Sequence, residues 1–485
     1  MARDLLVSHR VTSTVYCAAL LMLFWCGLAG ATDVAGWDAL FAFHYDYTVE
    51  ETAGLEREIE PVEVTLSVPA DSPTPWHEHI RVVRLENDSE GVVIPHQLIG
   101  EVRSRSQAGL ANEQPSDTPT AAPVESVNIV FLASCPARGN VTYRLFWGLP
   151  AGNETPRMDL PSAVESNGLR ISSDMPGLMV GNEYYVVRLD EKSGAISAAR
   201  LASSPEADTM SFGGSIPMHF GVDTWSPPES WDHDYDWLAP PNQRCDSGPL
   251  ALRYHRWGPL RKYPDLIVSI TYTFYAHVPY VVVSSTMEFT AARSARAVRM
   301  GEIVVSHTHK EGPNDKDEGG KFNDVFTHYA WPDGEGVSRI DVNAHRDAEG
   351  RANLEGVAPG ALAILDRDVP WVAGYHATRG YGLASLRKSQ FAGNRLGNPI
   401  PQTVPCTYLA NYGWGFTYWS RPMVYPFGAR QTAEDQNTAI AAGTIFATEE
   451  ALLFFKPDAE FTGVREAHRR FAEPLRLRFK GTGPW

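Results

Sequence analysis

Three stretches of this chain gather imidazole, guanidinium and phenol groups at spacings that can move a proton. His376, Arg379 and Tyr381 fall within six residues of one another in YHATRGYG. His328-Tyr329, with Arg421 further along, repeats the same three types. His307-Thr308-His309 sets two imidazoles at i, i+2, which strand alternation places on one face. A base, a cation and an acid are the parts that β-elimination at a uronate needs. The proton alpha to the carboxylate leaves, the carboxylate is neutralised, and the departing oxygen is protonated. The expected catalytic set is therefore His307, His309, His328, Tyr329, His376, Arg379 and Tyr381.

A sugar ring also needs flat aromatic surfaces for its apolar faces, flanked by polar groups for its hydroxyls. Trp225, Trp231, Tyr235 and Trp237 stud the acidic segment DTWSPPESWDHDYDW, and Trp331 lies in THYAWPDG. Tyr408, Tyr412, Trp414, Phe416, Tyr418 and Trp419 crowd into TYLANYGWGFTYW, read as another loop, although alternation there lets every second ring face a core. Trp231, Trp331, Tyr412, Trp414, Tyr418 and Arg421 are the expected substrate contacts.

Metal signals are thin. His307 and His309 would need Asp324, His328 or His376 to complete a ligand set, and a polar strand face without a ligand is the plainer reading. No metal is assigned. Asp232, Asp234 and Asp236 form D-x-D-x-D, which leaves a calcium loop open. The sixth position lacks Gly, however, and Gln243 stands where a bidentate Glu belongs. A hydrolase would want two carboxylates at a set separation. Asp232, Asp234 and Asp324 are available, and the sequence singles out no pair.

The elements that must position these groups are strands. Leu266, Val268, Ile270, Tyr272 and Phe274 alternate with Ser269, Thr271, Thr273 and Tyr275, and Tyr280 to Phe289 runs back beside them after Ala276-His277-Val278-Pro279. A period of two over that length fits a half-buried hairpin in a large antiparallel sheet. Forty Gly and 35 Pro, with few amphipathic helix patterns, complete an all-β composition. Only Glu460 to Phe471 reads as a helix.

Val15 to Leu28 is an apolar stretch behind Arg3, His9 and Arg10, followed by Ala29-Gly30-Ala31. That is the pattern of a cleaved export signal over residues 1–31, and it places the mature chain in a secreted or periplasmic setting without a membrane anchor. The remainder carries 40 basic and 57 acidic residues, a net charge of −17, which repels phosphate backbones and argues against nucleic acid. Cys135, Cys245 and Cys406 are too few and too widely spaced for a disulfide framework or a zinc site. Asn87, Asn140 and Asn153 each sit in an N-x-S/T pattern.

Two units follow from length and punctuation. A small barrel or sandwich spans residues 37–150, with a polar loop from Gln107 to Pro123. Residues 150–167 link it to a large antiparallel sandwich over 165–473. The phrases NEYYVVRLDEKSGAIS (Asn182–Ser197), GPLALRYHRWGP (Gly248–Pro259) and ITYTFYAHVPYVVV (Ile270–Val283) resemble the large β-sandwich of many carbohydrate-active enzymes. Together with the order of barrel then sandwich, they resemble the exo-rhamnogalacturonan lyase family of polysaccharide lyases. The resemblance does not extend to that family's C-terminal α/α toroid. It implies an exported lyase acting on a polysaccharide or oligosaccharide that contains uronate. Two alternatives stand beside it: a carbohydrate-binding surface protein without turnover, and a glycoside hydrolase or epimerase on the same sandwich.

Overall fold

The computed structural model describes residues 43–67, 80–87, 90–103, 124–148, 168–172, 177–203, 216–306, 325–334, 336–345, 361–365, 368–394, 407–412, 416–424 and 437–482, with short pieces at 32–33, 37 and 41. The expected signal segment, the Gln107–Pro123 loop and the 150–167 linker lie outside them. The fold is all-β, with one α-helix among the described residues, and the expected hairpin is its spine. Strands Leu266–Tyr275 and Tyr280–Phe289 pair from Leu266↔Phe289 to Thr273↔Val282. Leu266, Val268, Ile270, Tyr272 and Phe274 are wholly buried, whereas Ile267, Ser269 and Thr271 are half-exposed. Alternation on the sequence thus becomes two faces of a sheet.

That hairpin belongs to a nine-stranded sheet, which packs face to face on a ten-stranded one. The core between them takes Val268, Ile270 and Tyr272 from the first, and Met218, Phe220, Val222, Met300 and Trp419 from the second. Burying each such side chain contributes about 1.5–3 kcal/mol. The outer face of the nine-stranded sheet is covered by helix Thr462–Ala472, which seats Val464, Ala467 and Phe471 against Trp371, Leu386 and Leu453. This is the helix expected from Glu460 to Phe471, begun two residues later.

The small unit is a six-stranded and a three-stranded sheet closed over one core, a sandwich in keeping with the sequence reading. Its six-stranded sheet ends on a strand from the far end of the chain. Arg476–Thr482 pairs with Phe43–Glu50, with Glu50 opposite Arg476. Arg57, buried in the small unit, donates to the carbonyls of Arg470 and Glu473 at the end of the helix (3.4 and 2.8 Å) and pairs with Glu51 and Glu60. Gln97 likewise bonds Leu250 and Ala251 at 2.8–2.9 Å, docking the small unit on the sandwich.

Charges are also buried inside the large sandwich. Glu450 accepts from Arg421 (3.3 Å) and from the Ser385 hydroxyl (2.8 Å), and Asp368 bridges Arg421 (2.5 Å) and Arg387 (3.0 Å). Arg421 and Glu450 are 1 % and 0 % exposed. Gly301 (φ 55°) leaves room for this network, because a Cβ there would collide with the Glu450 carboxylate.

Candidate functional site

On strand Ile216–Trp225 the apolar Met218, Phe220 and Val222 enter the core, so His219, Gly221, Asp223 and Trp225 fall on the outer face of the ten-stranded sheet. The neighbouring strand Ala297–Ser306 sends Val298, Met300, Ile303 and Val305 inward. The two-residue step from Met300 to Ile303 is broken by a bulge at Gly301-Glu302. A bulge re-aims side chains. Here it brings Glu302 beside Arg299, their ion pair closing at 2.7 Å.

The segment from Ser226 to Pro241 folds over this face. Asp232–His233 forms a short strand beside Asp223–Thr224, with Asp223 opposite His233. A 3-10 turn over Asp234–Asp236 follows. Asp234 anchors it: its carboxylate accepts the Val222 N–H (2.6 Å) and pairs with the fully buried Arg256 guanidinium. Gly221 is required under it, since a Cβ would strike that carboxylate. Asp232 accepts the Lys262 N–H at 2.6 Å. The D-x-D-x-D run is therefore spread over two backbone anchors and one exposed residue, Asp236. Among the described residues, the three whose donor atoms converge are instead Asp223, His233 and Glu302.

Charge is concentrated at the floor. Arg299 forks onto Asp223, with Nε 2.7 Å from Oδ1. His233 Nδ1 lies 3.3 Å from Asp223 Oδ2 and 3.5 Å from Glu302 Oε2. Asp223 and Glu302 are 0 % and 2 % exposed. One oxygen of each lies within 4.8 Å of the other and of a His233 ring nitrogen.

Above it, rings stack in series. His219 lies 4.8 Å from Tyr235, Tyr235 4.6 Å from His233, and His233 6.4 Å from Trp231, all within 23° of parallel. Trp225 meets Trp231 at 5.5 Å, and Arg296 and Arg299 cap those two indoles at 4.5 and 4.2 Å. All five residues are half-buried, so part of each reaches solvent.

The environments push the two imidazoles apart. Burial favours neutral His219 and pulls its pKa below the ordinary value, against the pull of Asp234 and Asp190. Burial opposes charge on His233 too, but Glu302 and Asp223 outweigh it and lift the ring to about 9. Asp223 is pushed up to about 6 by burial, against Arg299. Glu302, though buried, is drawn below the usual carboxylate range by Arg299 and His233. Burial keeps the Tyr235 phenol protonated far into alkali. A neutral imidazole, a phenol and an imidazolium in one stack are a base, a donor and a cation.

A stability signature follows. His233 binds its proton more tightly folded than unfolded, so its contribution is complete below pH 6.5 and is lost as pH rises towards 9. Asp223, also raised, loses its contribution in a lower window, between pH 3.8 and about 6. Denaturant midpoints of the wild type are expected to fall between pH 6.5 and 9, and His233→Gln to flatten that slope. An equal slope in both proteins contradicts the assignment.

The residues expected from sequence distribute differently. Trp231 is in the site. His328, His376, Arg379 and Tyr381 do gather, but at the ends of three strands of the nine-stranded sheet. His328 stacks on Tyr375 at 5.2 Å, and His376 meets Tyr381 at 5.6 Å. His376 Nδ1 accepts the Arg379 N–H (3.2 Å), closing the turn that Gly380 (φ 70°) completes, and Tyr381 donates to the Val325 carbonyl (2.7 Å). Burial and Arg379 lower His376 to about 4. Two expected residues belong to the core: Tyr329 is 0 % exposed against Trp419, and Arg421 sits in the Glu450 network. Trp331 packs at the edge of that core. THYAWPDG and TYLANYGWGFTYW are strands rather than loops, His328–Asp333, Thr407–Tyr412 and Phe416–Val424, because β-branched and aromatic residues prefer a packed sheet. His307, His309, Asp324 and Trp414 lie outside the described residues, as do the side chains of Tyr412 and Tyr418. The register sets Tyr418 opposite Val304, which is itself opposite His219. Sequence reasoning passed over His219, Asp223, Arg299 and Glu302, although M-H-F-G-V-D-T-W alternates openly.

No family model and no curated protein matches this sequence. Among solved structures, a glycosyl hydrolase family 38 protein from Enterococcus faecalis aligns over 96 % of this chain and 50 % of its own at 10 % identity, TM-score 0.47. An alpha-mannosidase from Enterococcus faecalis V583 gives the same score over 96 % and 48 %. A putative aldose 1-epimerase from Escherichia coli K12 aligns over 60 % of this chain at 12 % identity, TM-score 0.29. The chain spans about half the length of the first two.

Proposed function

We propose that this protein is carbohydrate-active and cleaves a uronate-containing glycan by β-elimination at the outer face of its ten-stranded sheet. The observation that carries the reading is the pair of imidazoles of opposite protonation flanking one phenol, 4.8 and 4.6 Å away. His219, neutral at pH 7, takes the proton alpha to the carboxylate. Tyr235, protonated, gives one to the leaving oxygen. At pH 7 each is in the protonation state from which its role starts. Trp231 and Trp225 offer the flat surface on which a pyranose ring stacks. The same stack without turnover would make the chain a carbohydrate-binding protein, and export through the N-terminal signal suits either.

The test is an assay of the purified protein on rhamnogalacturonan and other pectic substrates, following the ultraviolet absorbance of the unsaturated product. His219→Gln is expected to lower turnover by about 10²–10⁴-fold while leaving glycan affinity near that of the wild type. Binding with no unsaturated product from any uronic polymer leaves only the binding protein. Full turnover in the variant removes His219 as the base.

A further inference from the structure

The floor of the site contains more charge than proton transfer needs. Four ionisable side chains, Asp223, His233, Arg299 and Glu302, meet beneath the rings, three of them at most 6 % exposed. His233 Nδ1 and Glu302 Oε2 are buried and make no hydrogen bond of good geometry, although they lie 3.5 Å apart. Their contact is one of charge. Nδ1 is the ring nitrogen turned to the carboxylates, and the imidazole, 19 % exposed, lies nearly parallel to Trp231 with ring centroids 6.4 Å apart.

We propose that this quartet recognises acidic sugars: His233 presents Nε2 to the carboxylate of a uronate stacked on Trp231, while Asp223 and Glu302 position the ring and keep its charge. The proposal rests on the functional reading above and adds to it the residues that select the uronate's carboxylate. Two negative and two positive groups balance within the floor, so an incoming carboxylate meets an imidazolium rather than a net negative field. This matters on a chain whose formal net charge is −16. Other charged or titratable groups around His233 are Tyr235 in the stack, His219 beyond it, and Asp234 and Asp236 in the adjoining turn. Arg299 is held by both carboxylates and serves the floor, not the ligand.

The experiment is calorimetric titration of the full chain with a rhamnogalacturonan oligosaccharide, and with the same oligosaccharide after its carboxyls are reduced to primary alcohols. At pH 7 the acidic form is expected to bind about ten- to a hundredfold more tightly, the span of one charge-assisted contact. The preference should vanish in the wild type as pH passes about 9, with the ring's own titration followed by nuclear magnetic resonance of labelled histidine. Glu302→Gln should move both midpoints to lower pH together. Restoration of the preference at acidic pH marks Glu302 as a positioning residue rather than a merely structural one. Equal binding of the two probes, no binding of either, or a wild-type preference unchanged from pH 7 to 10 overturns the proposal. A preference that behaves as expected without any unsaturated product instead sinks the lyase reading and leaves the recognition intact.

Discussion

Replacing Glu450 with Gln is expected to lower unfolding stability by about 3–5 kcal/mol, among the largest effects of any single side chain in this protein. Glu450 is 0 % exposed and is one of two carboxylates that answer Arg421 and Arg387 between the sheets. Without it, two buried guanidinium groups share Asp368 alone. Burial already pulls Arg387 below the ordinary arginine range, a sign of how little solvation it has to lose. Urea denaturation measures the change as a lower midpoint at constant slope. Because removing both partners of a buried pair costs less than removing one, Glu450→Leu with Arg421→Met should be milder than Glu450→Gln. A single-variant loss under 1 kcal/mol would show that the network contributes almost nothing.

The second large effect belongs to Asp234. Asp234→Ala removes the partner of the fully buried Arg256 and the acceptor of the Val222 N–H, again at about 3–5 kcal/mol. Unlike the Glu450 loss, this one is also local. The same carboxylate pins the Ser226–Pro241 segment that brings Trp231, His233 and Tyr235 to the sheet. Limited proteolysis should therefore nick the variant within 226–241 under conditions where the wild type stays whole, and turnover should fall with it. Lower stability with that segment still protected would mean that the aromatic stack holds itself in place.

The fold was largely written in the alternation of its strands, because a half-buried strand has to alternate to be half-buried. Leu266 to Phe274 named their own faces, and Val464, Ala467 and Phe471 did so for the helix. The site was harder for two physical reasons. Aromatic residues serve cores and sites equally well, so Tyr329 read like a proton carrier and Trp331 like a sugar contact when both were packing. Arg421 misled in the same way, since a buried guanidinium in an ion network has the same letter as an exposed one. Conversely, Asp223 and Glu302 lie far apart in sequence and meet only because strands 216–225 and 297–306 are neighbours and a bulge turns Glu302 outward. The RMGE phrase holds the clue: a glycine at φ 55° inside an otherwise alternating strand marks the place where the alternation changes phase.

The pairing of Phe43–Glu50 with Arg476–Thr482 sets an order of assembly. Until Arg476–Thr482 has been made, the sheet that holds Phe43–Glu50 lacks its sixth strand and keeps an exposed backbone edge. The same stretch of chain supplies both the closing strand and the helix end that Arg57 holds, so it ties the small unit to the sandwich. Full protection of Phe43–Glu50 from hydrogen exchange therefore reports that Arg476–Thr482 is paired beside it.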